Sequence, residues 1–217
     1  MFKLFFLILF PFFANASVEC IGPTNASKYI IYLHGIDREE FSPQEIKNRE
    51  ILKKLANNLS LKIALPRAKT KCPQDKDLLC WVWEAQYKKD LEPTFTSIKE
   101  ASTECFPNKD YNVVGFSNGG AAVSAFLRLC ENPGFKTAIS IGAGGGWFSS
   151  DPKKLLNCMP NLIIMLGSND GANQAPVRNY INHLQTLKAQ VKLIEYQGKH
   201  EILYEPLKEQ LEKLYSK

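Results

Sequence analysis

The pentapeptide Gly115-Phe116-Ser117-Asn118-Gly119 follows the apolar run Tyr111 to Val114 and precedes the helix-like stretch Ala121 to Leu129. That order of strand, sharp turn and helix constrains the fold more than any other feature of the chain. A serine at the apex of such a turn is lifted clear of the backbone at the C-terminal edge of a sheet. Glycines two residues before and after it relieve the crowding where strand and helix nearly touch. The helix start also points N–H groups at any oxyanion formed beside Ser117. A five-residue pattern of this kind also arises by chance, so the nucleophile reading needs partners.

A serine hydroxyl is a poor nucleophile until a base takes its proton and a carboxylate orients that base. The chain has 3 histidines. His34 ends the strand-like run Tyr29 to Leu33 and precedes Gly35, which suits a residue that shapes a loop. His183 lies in a helical pattern with Val177, Tyr180, Ile181, Leu184 and Leu187 on its apolar side, a structural placement. His200 follows the strand-like run Val191 to Tyr196 and a turn at Gly198, which puts it at the same sheet edge as Ser117. The carboxylate follows from the same logic: Leu162 to Leu166 reads as a buried parallel strand, and Gly167-Ser168-Asn169-Asp170-Gly171 is the loop leaving it. Asp170 is therefore the candidate. Of its rivals, Asp151 reads as a helix N-cap before Pro152, and Glu201 as the opening of the last helix.

Strand-like runs at Tyr29 to Leu33, Lys62 to Leu65, Asn112 to Val114, Thr137 to Ile141, Leu162 to Leu166 and Val191 to Tyr196 alternate with helical segments. Such alternation predicts an α/β fold: a mainly parallel sheet of about six core strands with helices on both faces and active loops at the carboxyl ends. Ser42-Pro43-Gln44-Glu45 opens the first long helix as a capping box with proline at N1. A chain of this size leaves no room for a large cap domain, so the site is expected to be open between two loops. One, Pro66 to Glu92, carries Cys72, Cys80, Trp81, Trp83 and Tyr87; the other, Gly142 to Ser150, carries Trp147 and Phe148. Trp81, Trp83, Trp147 and Phe148 are candidate substrate-lining residues. For the tryptophans of the cystine-bearing loop, a small core of the loop itself is the alternative. Gly144-Gly145-Gly146 is not a dinucleotide fingerprint, because Trp147 stands where the last glycine belongs and Asp151-Pro152 interrupts the run. No cofactor is implied.

The order Ser117, Asp170, His200, each on a loop after a different strand, resembles the α/β-hydrolase fold from about Lys28 to the C-terminus. Within that superfamily the chain looks like the small serine carboxylesterases and lysophospholipases, with dienelactone-hydrolase-like and polyester-depolymerase-like esterases as near relatives. The motifs that carry the resemblance are Leu33-His34-Gly35, Gly115-Phe116-Ser117-Asn118-Gly119-Gly120, Gly167-Ser168-Asn169-Asp170 and Gly198-Lys199-His200. Esterases of this kind often place Gly and Asp after the His-Gly pair, whereas Ile36-Asp37-Arg38 follows here. The resemblance implies hydrolysis of a carboxylic ester through an acyl-enzyme, with Ser117 as nucleophile, His200 as base and Asp170 as its orienting carboxylate. Backbone N–H groups of Asn118 and Ile36 would form the oxyanion hole. The substrate class stays open among small-molecule, lipid and polysaccharide esters. Two alternatives stand beside it: a catalytically silent secreted binding protein on the same scaffold, and a peptidase or amidase.

At 217 residues the chain suits one sizeable domain. Met1-Phe2-Lys3, the apolar stretch Leu4 to Phe13 and Ala14-Asn15-Ala16 read as a signal peptide over residues 1–16, leaving a single domain at 17–217 in a secreted or periplasmic protein. The apolar stretch is too short for a comfortable membrane span. Six cysteines, Cys20, Cys72, Cys80, Cys105, Cys130 and Cys158, then predict disulfides, with Cys72 and Cys80 able to close one loop locally. No zinc-ligand spacing is present. The formal charge of +5 comes from lysines scattered among acidic residues, a solvated surface and not a nucleic-acid stripe. Nothing in the sequence sets an oligomeric state.

Overall fold

Runs rich in Ile, Leu and Val that are buried on both faces pair laterally at the centre of the sheet, with shorter or more exposed strands around them. The strands are β1 (Glu19–Ile21), β2 (Lys28–Leu33), β3 (Asp37–Arg38), β4 (Leu61–Leu65), β5 (Thr70–Lys71), β6 (Leu78–Cys80), β7 (Tyr111–Phe116), β8 (Phe135–Ile141), β9 (Asn161–Gly167) and β10 (Val191–Tyr196). Between them lie α1 (Pro43–Asn58), α2 (Glu92–Cys105), α3 (Asn118–Leu129), α4 (Gly171–Thr186) and α5 (Tyr204–Tyr215). The computed structural model describes residues 18–82, 87–131, 134–144 and 161–216. The 1–16 leader, Trp83, Trp147, Phe148, Asp151 and Cys158 lie outside the described residues.

The main sheet is 7-stranded, in the order β1-β4-β2-β7-β8-β9-β10. Every pairing is parallel except that of β1, which runs antiparallel to β4. Alternate residues of each strand feed opposite cores. Ile31, Leu33, Val113, Ile164 and Leu166 face one side with Ile98 of α2, Phe126 of α3 and Leu184 of α4. Ile30, Tyr32, Val114, Ile139 and Met165 face the other with Leu52 and Leu55 of α1 and Leu207 and Leu211 of α5. A fully buried aliphatic side chain contributes about 1.5–3 kcal/mol over an exposed one. A one-residue slip of any central strand would exchange its two sets of core residues, so register and layer order fix each other.

All six anticipated strands are present. Two features were not anticipated: the short strand β1, and a second, 3-stranded sheet in the order β3-β6-β5. This small antiparallel sheet is built within the loop after β4 and reaches back to Asp37 and Arg38 after β2. Its strands are two or three residues long, too short to leave a periodicity. The cysteines staple these additions. Cys72–Cys80 closes the small sheet, and Cys20–Cys105 ties β1 to the end of α2. Cys130 is also disulfide-bonded.

The start of α1 departs from a full capping box. Ser42 Oγ accepts from Glu45 N at 3.2 Å, but the Ser42 N–H donates to Asp37 Oδ1 at 2.9 Å and not to Glu45. Glu45 turns inward and accepts from the buried Tyr32 hydroxyl at 3.0 Å. The last helix begins at Tyr204, not at Glu201, because Ile202 is fully buried and Leu203 is extended at φ −109 and ψ 139.

Candidate functional site

Ser117 sits between the end of β7 and the first turn of α3 with φ 52 and ψ −116, a conformation that L-residues with a side chain rarely adopt. The surroundings hold it there. Its N–H donates to Ile141 O at 2.9 Å, and its carbonyl accepts from Ala121 N at 2.9 Å. Strand and helix cross so closely that a Cβ on Gly115 would lie 2.3 Å from Gly119 O, and a Cβ on Gly119 would lie 2.1 Å from Leu33 O. The glycines of the pentapeptide are thus required by contact.

Asp170 follows the loop after β9 and is buried, with its carbonyl accepting from Asn173 N and Gln174 N at the head of α4. His200 follows β10. Ser168 N donates to Tyr196 O and Asn169 N to Gly198 O, both at 2.8 Å, so the two loops are laced together. His200 Nδ1 lies 2.8 Å from Asp170 Oδ2, a hydrogen bond in which the ring N–H donates to the carboxylate. The other carboxylate oxygen, Oδ1, accepts from Asn173 Nδ2 at 2.8 Å. Asn173 Nδ2 is also 3.1 Å from His200 Nδ1, which packs the amide against the ring edge. The imidazole ring lies beside the ring of Phe116, the residue before Ser117, with centroids 4.9 Å apart. Among the described residues Ser117 Oγ makes no hydrogen bond, and the residue is partly exposed.

Gly142, in the loop after β8, closes one side of the pair. Its φ is 63, and a Cβ there would lie 2.8 Å from His200 Nδ1 and 3.3 Å from Asp170 Oδ2. The backbone therefore passes directly over the histidine–carboxylate bond.

On the opposite side is the loop after β2. A Cβ on Gly35 would lie 3.2 Å from Ser117 Cβ, so this loop runs past the serine, and Ile36 next in the chain is 42% exposed. His34 is buried and holds the loop's shape. Its Nε2 accepts from Ala68 N at 3.1 Å, which leaves Nδ1 to donate to Gly35 O at 2.5 Å. Burial pulls its pKa down to about 4, so it is neutral around pH 7. Trp81 is 2% exposed and packs on the His34 ring with centroids 4.9 Å apart. It stands in the core of its own loop. Asn118 uses its side chain on that loop as well, accepting from Trp81 N at 2.7 Å and donating to Val82 O at 2.6 Å.

The remaining histidine and the rival carboxylate fall elsewhere. His183 lies within α4. Glu201 accepts from Lys47 Nζ at 2.8 Å, and that bond holds its carboxyl below the usual range. Among the described residues no cluster of three His, Cys, Asp or Glu side chains is arranged to hold a metal ion.

The sequence matches no known family model and no curated protein. Solved structures do resemble it. A carboxylesterase from Mesorhizobium loti aligns over 91% of this chain and 92% of its own at 16% identity, with a TM-score of 0.64. An acyl-protein thioesterase 2 from Zea mays covers 91% and 96% at 19% identity, TM-score 0.62. An α/β serine hydrolase without a lid, from Xanthomonas campestris, covers 90% and 86% at 15% identity, TM-score 0.57. The chain has the α/β-hydrolase fold. In an α/β-hydrolase fold, loops at the carboxyl ends of the strands carry the variable chemistry. Ser117, Gly142, Asp170 and His200 all stand at that edge.

Three features of this edge were not anticipated from the sequence: Asn173 on Asp170, Gly142 over the His200–Asp170 bond, and the Asn118 side chain on the Trp81 loop. Only Asn173 left a trace, an amide one helical turn past the carboxylate, on the side a helix start presents to its N-cap.

Proposed function

We propose that the chain is a serine hydrolase that cleaves carboxylic esters through an acyl-enzyme. The observation that carries this reading is the 2.8 Å bond between His200 Nδ1 and Asp170 Oδ2, made beside a strained serine turn. With Nδ1–H given to Asp170, Nε2 is left as the acceptor, the tautomer a general base needs. His200 takes the Ser117 proton as Oγ attacks the ester carbonyl, then returns it to the departing alcohol. Asp170 stabilises the imidazolium without itself being protonated. The oxyanion is held by the N–H groups of Asn118, at the start of α3, and of Ile36, in the loop that runs past Ser117. Water then hydrolyses the acyl-enzyme by the same steps in reverse roles. The likeness to a carboxylesterase and to an acyl-protein thioesterase supports an acyl group bound to oxygen or sulfur.

We further propose that residues 1–16 are removed and that residues 17–217 act as one domain in a secreted or periplasmic protein. The disulfides Cys20–Cys105 and Cys72–Cys80 fit an oxidising compartment. The N-terminal sequence of protein recovered from culture tests this, with Ser17 expected first.

Ser117→Ala should lower turnover of p-nitrophenyl esters by about 10⁴ to 10⁶-fold. Retained turnover would remove Ser117 from the mechanism. The silent-scaffold reading draws on the absence of a Ser117 Oγ hydrogen bond among the described residues, and a fluorophosphonate probe decides it: covalent labelling at Ser117 rules it out.

A further inference from the structure

The two oxyanion donors stand on separate segments. Pairing of β2 with β7 ends at Leu33↔Gly115, so Ile36 and Asn118 both lie beyond the last register pair that could fix their spacing. A third segment spans the gap. Trp81 N donates to Asn118 Oδ1 at 2.7 Å, and Trp81 Nε1 donates to His34 O at 2.9 Å. The Trp81 carbonyl accepts from Thr94 Oγ1 at 2.6 Å, anchoring the residue to α2. Val82 O accepts from Asn118 Nδ2 at 2.6 Å, so the asparagine amide engages the 81–82 backbone with both its atoms. All polar groups of Trp81 are thus committed, two of them to the segments on either side of Ser117. Trp81 and His34 are 2% and 1% exposed, which means that water does not replace a bond lost here.

We propose that Trp81 is a positioning residue that clamps the two halves of the oxyanion hole. It joins Asn118 to the His34-Gly35-Ile36 loop and so sets the separation of the Asn118 and Ile36 N–H groups. The proposal rests on the acyl-enzyme reading for its chemical meaning. A preformed hole favours the tetrahedral oxyanion over the planar substrate carbonyl, so loosening it weakens transition-state binding and spares ground-state binding. That signature separates a clamp from a substrate wall, which would act on KM.

The decisive variant is Trp81→Phe, which keeps an aromatic ring against His34 and removes the N–H donor to His34 O together with part of the indole's volume. With p-nitrophenyl butyrate, kcat should fall about tenfold with KM within about twofold, and a boronic acid inhibitor should bind about tenfold more weakly. Asn118→Ala cuts the clamp from the other side and keeps the backbone N–H. Combined with Trp81→Phe it should add little further loss, because both remove one linkage. A rise in KM with kcat unchanged, unaltered kinetics, or full additivity of the two losses overturns the proposal. Amide NMR gives a readout independent of turnover: Trp81→Phe should shift both the Ile36 and Asn118 amide resonances. If the unmodified chain reacts with neither esters nor fluorophosphonate, the hydrolase reading fails, and these resonances still decide the clamp. Unmoved resonances overturn it.

Discussion

At the carboxyl end of the parallel strands the backbone is bent out of ordinary conformations to bring polar groups together. Ser117 stands at φ 52 and Gly142 at φ 63, around a buried Asp170 that holds His200. At the amino end lies a groove of about 850 Å³ lined by Asn112, Thr137, Leu162, Val191 and Tyr215, among others. The polar groups at its centre are spent on structure. Tyr215 OH accepts from Asn112 Nδ2 and donates to Tyr29 O, each at 2.9 Å, while Asn112 Oδ1 accepts from Thr137 N at 3.0 Å. A sizeable hollow there thus carries quiet chemistry. What marks the carboxyl end is backbone strain and a serine hydroxyl without a partner among the described residues.

The largest expected effect tests the carboxyl end directly. Asp170→Asn should lower kcat about 10⁴-fold, because the amide favours the wrong imidazole tautomer. An Asp170→Asn enzyme within tenfold of the parent would erase the distinction between the two ends.

The disulfides sharpen the contrast, since Cys72–Cys80 stands beside Trp81 and Cys20–Cys105 ties the edge strand β1 to α2. Removing Cys20–Cys105, which closes the longer loop, should cost about 4–5 kcal/mol of stability, and removing Cys72–Cys80 about 2–3 kcal/mol, on a chain-entropy model. Urea unfolding of the paired Cys→Ser variants measures both. The smaller loss should come with reduced kcat, because Trp81 follows Cys80; the larger should leave kcat of the folded protein unchanged. The reverse pattern contradicts the placement of Cys72–Cys80 beside the site.

Acid response separates two buried groups near the carboxyl end. Burial holds His34 at about 4, below its ordinary 6.5, and pushes Glu45 up to about 7, above its ordinary 4.5. Between pH 6.5 and 4 the unfolded chain binds a proton at His34 that the folded chain does not, so this contribution is lost as pH falls. Between pH 4.5 and 7 folded Glu45 keeps a proton that the unfolded chain has released, so that contribution is lost as pH rises. Each is worth about 3 kcal/mol across its window, and the opposing slopes leave stability nearly level from pH 4.5 to 6.5. Glu45→Gln should expose the His34 slope, a loss of about 1.4 kcal/mol per pH unit on acidification in urea titrations. Parallel profiles for variant and parent would count against the pairing.

Smaller effects follow. Asn173→Ala strips Asp170 Oδ1 of its donor and should lower kcat about tenfold with KM unchanged; a pure loss of stability would make Asn173 a helix residue only. Tyr215→Phe, at the amino end, should cost about 1 kcal/mol in unfolding and leave kcat alone. A change in kcat there would give the groove a part in the chemistry.

Much of the carboxyl end was legible because its signals are local. A strand, a glycine-flanked serine and a helix occupy one short stretch, and each candidate triad residue follows its own strand, β7 and β9 largely buried on both faces and β10 partly exposed at the sheet edge. β1 and the small sheet were not legible, since strands of two or three residues carry no period and borrow their order from partners elsewhere in the chain. Trp81 shows the same limit. Beside a cystine, an aromatic residue suits a pocket wall and a loop core equally well, and burial against His34 made it the latter. Glu45 had the right spacing to cap α1, but the nearby Tyr32 hydroxyl and the Asp37 carboxylate redirected it.

By itself the sequence determined the layered α/β architecture, the six parallel strands and the edge on which Ser117, Asp170 and His200 would be found. These follow from hydrophobic period and from turns whose residues act on their immediate neighbours. Tertiary structure alone decided which nitrogen of His200 faces Asp170, that Asn173 holds the other carboxylate oxygen, and that Trp81 joins Asn118 to the His34 loop. Those are contacts between segments far apart in the chain, and their geometry exists only after the layers have packed.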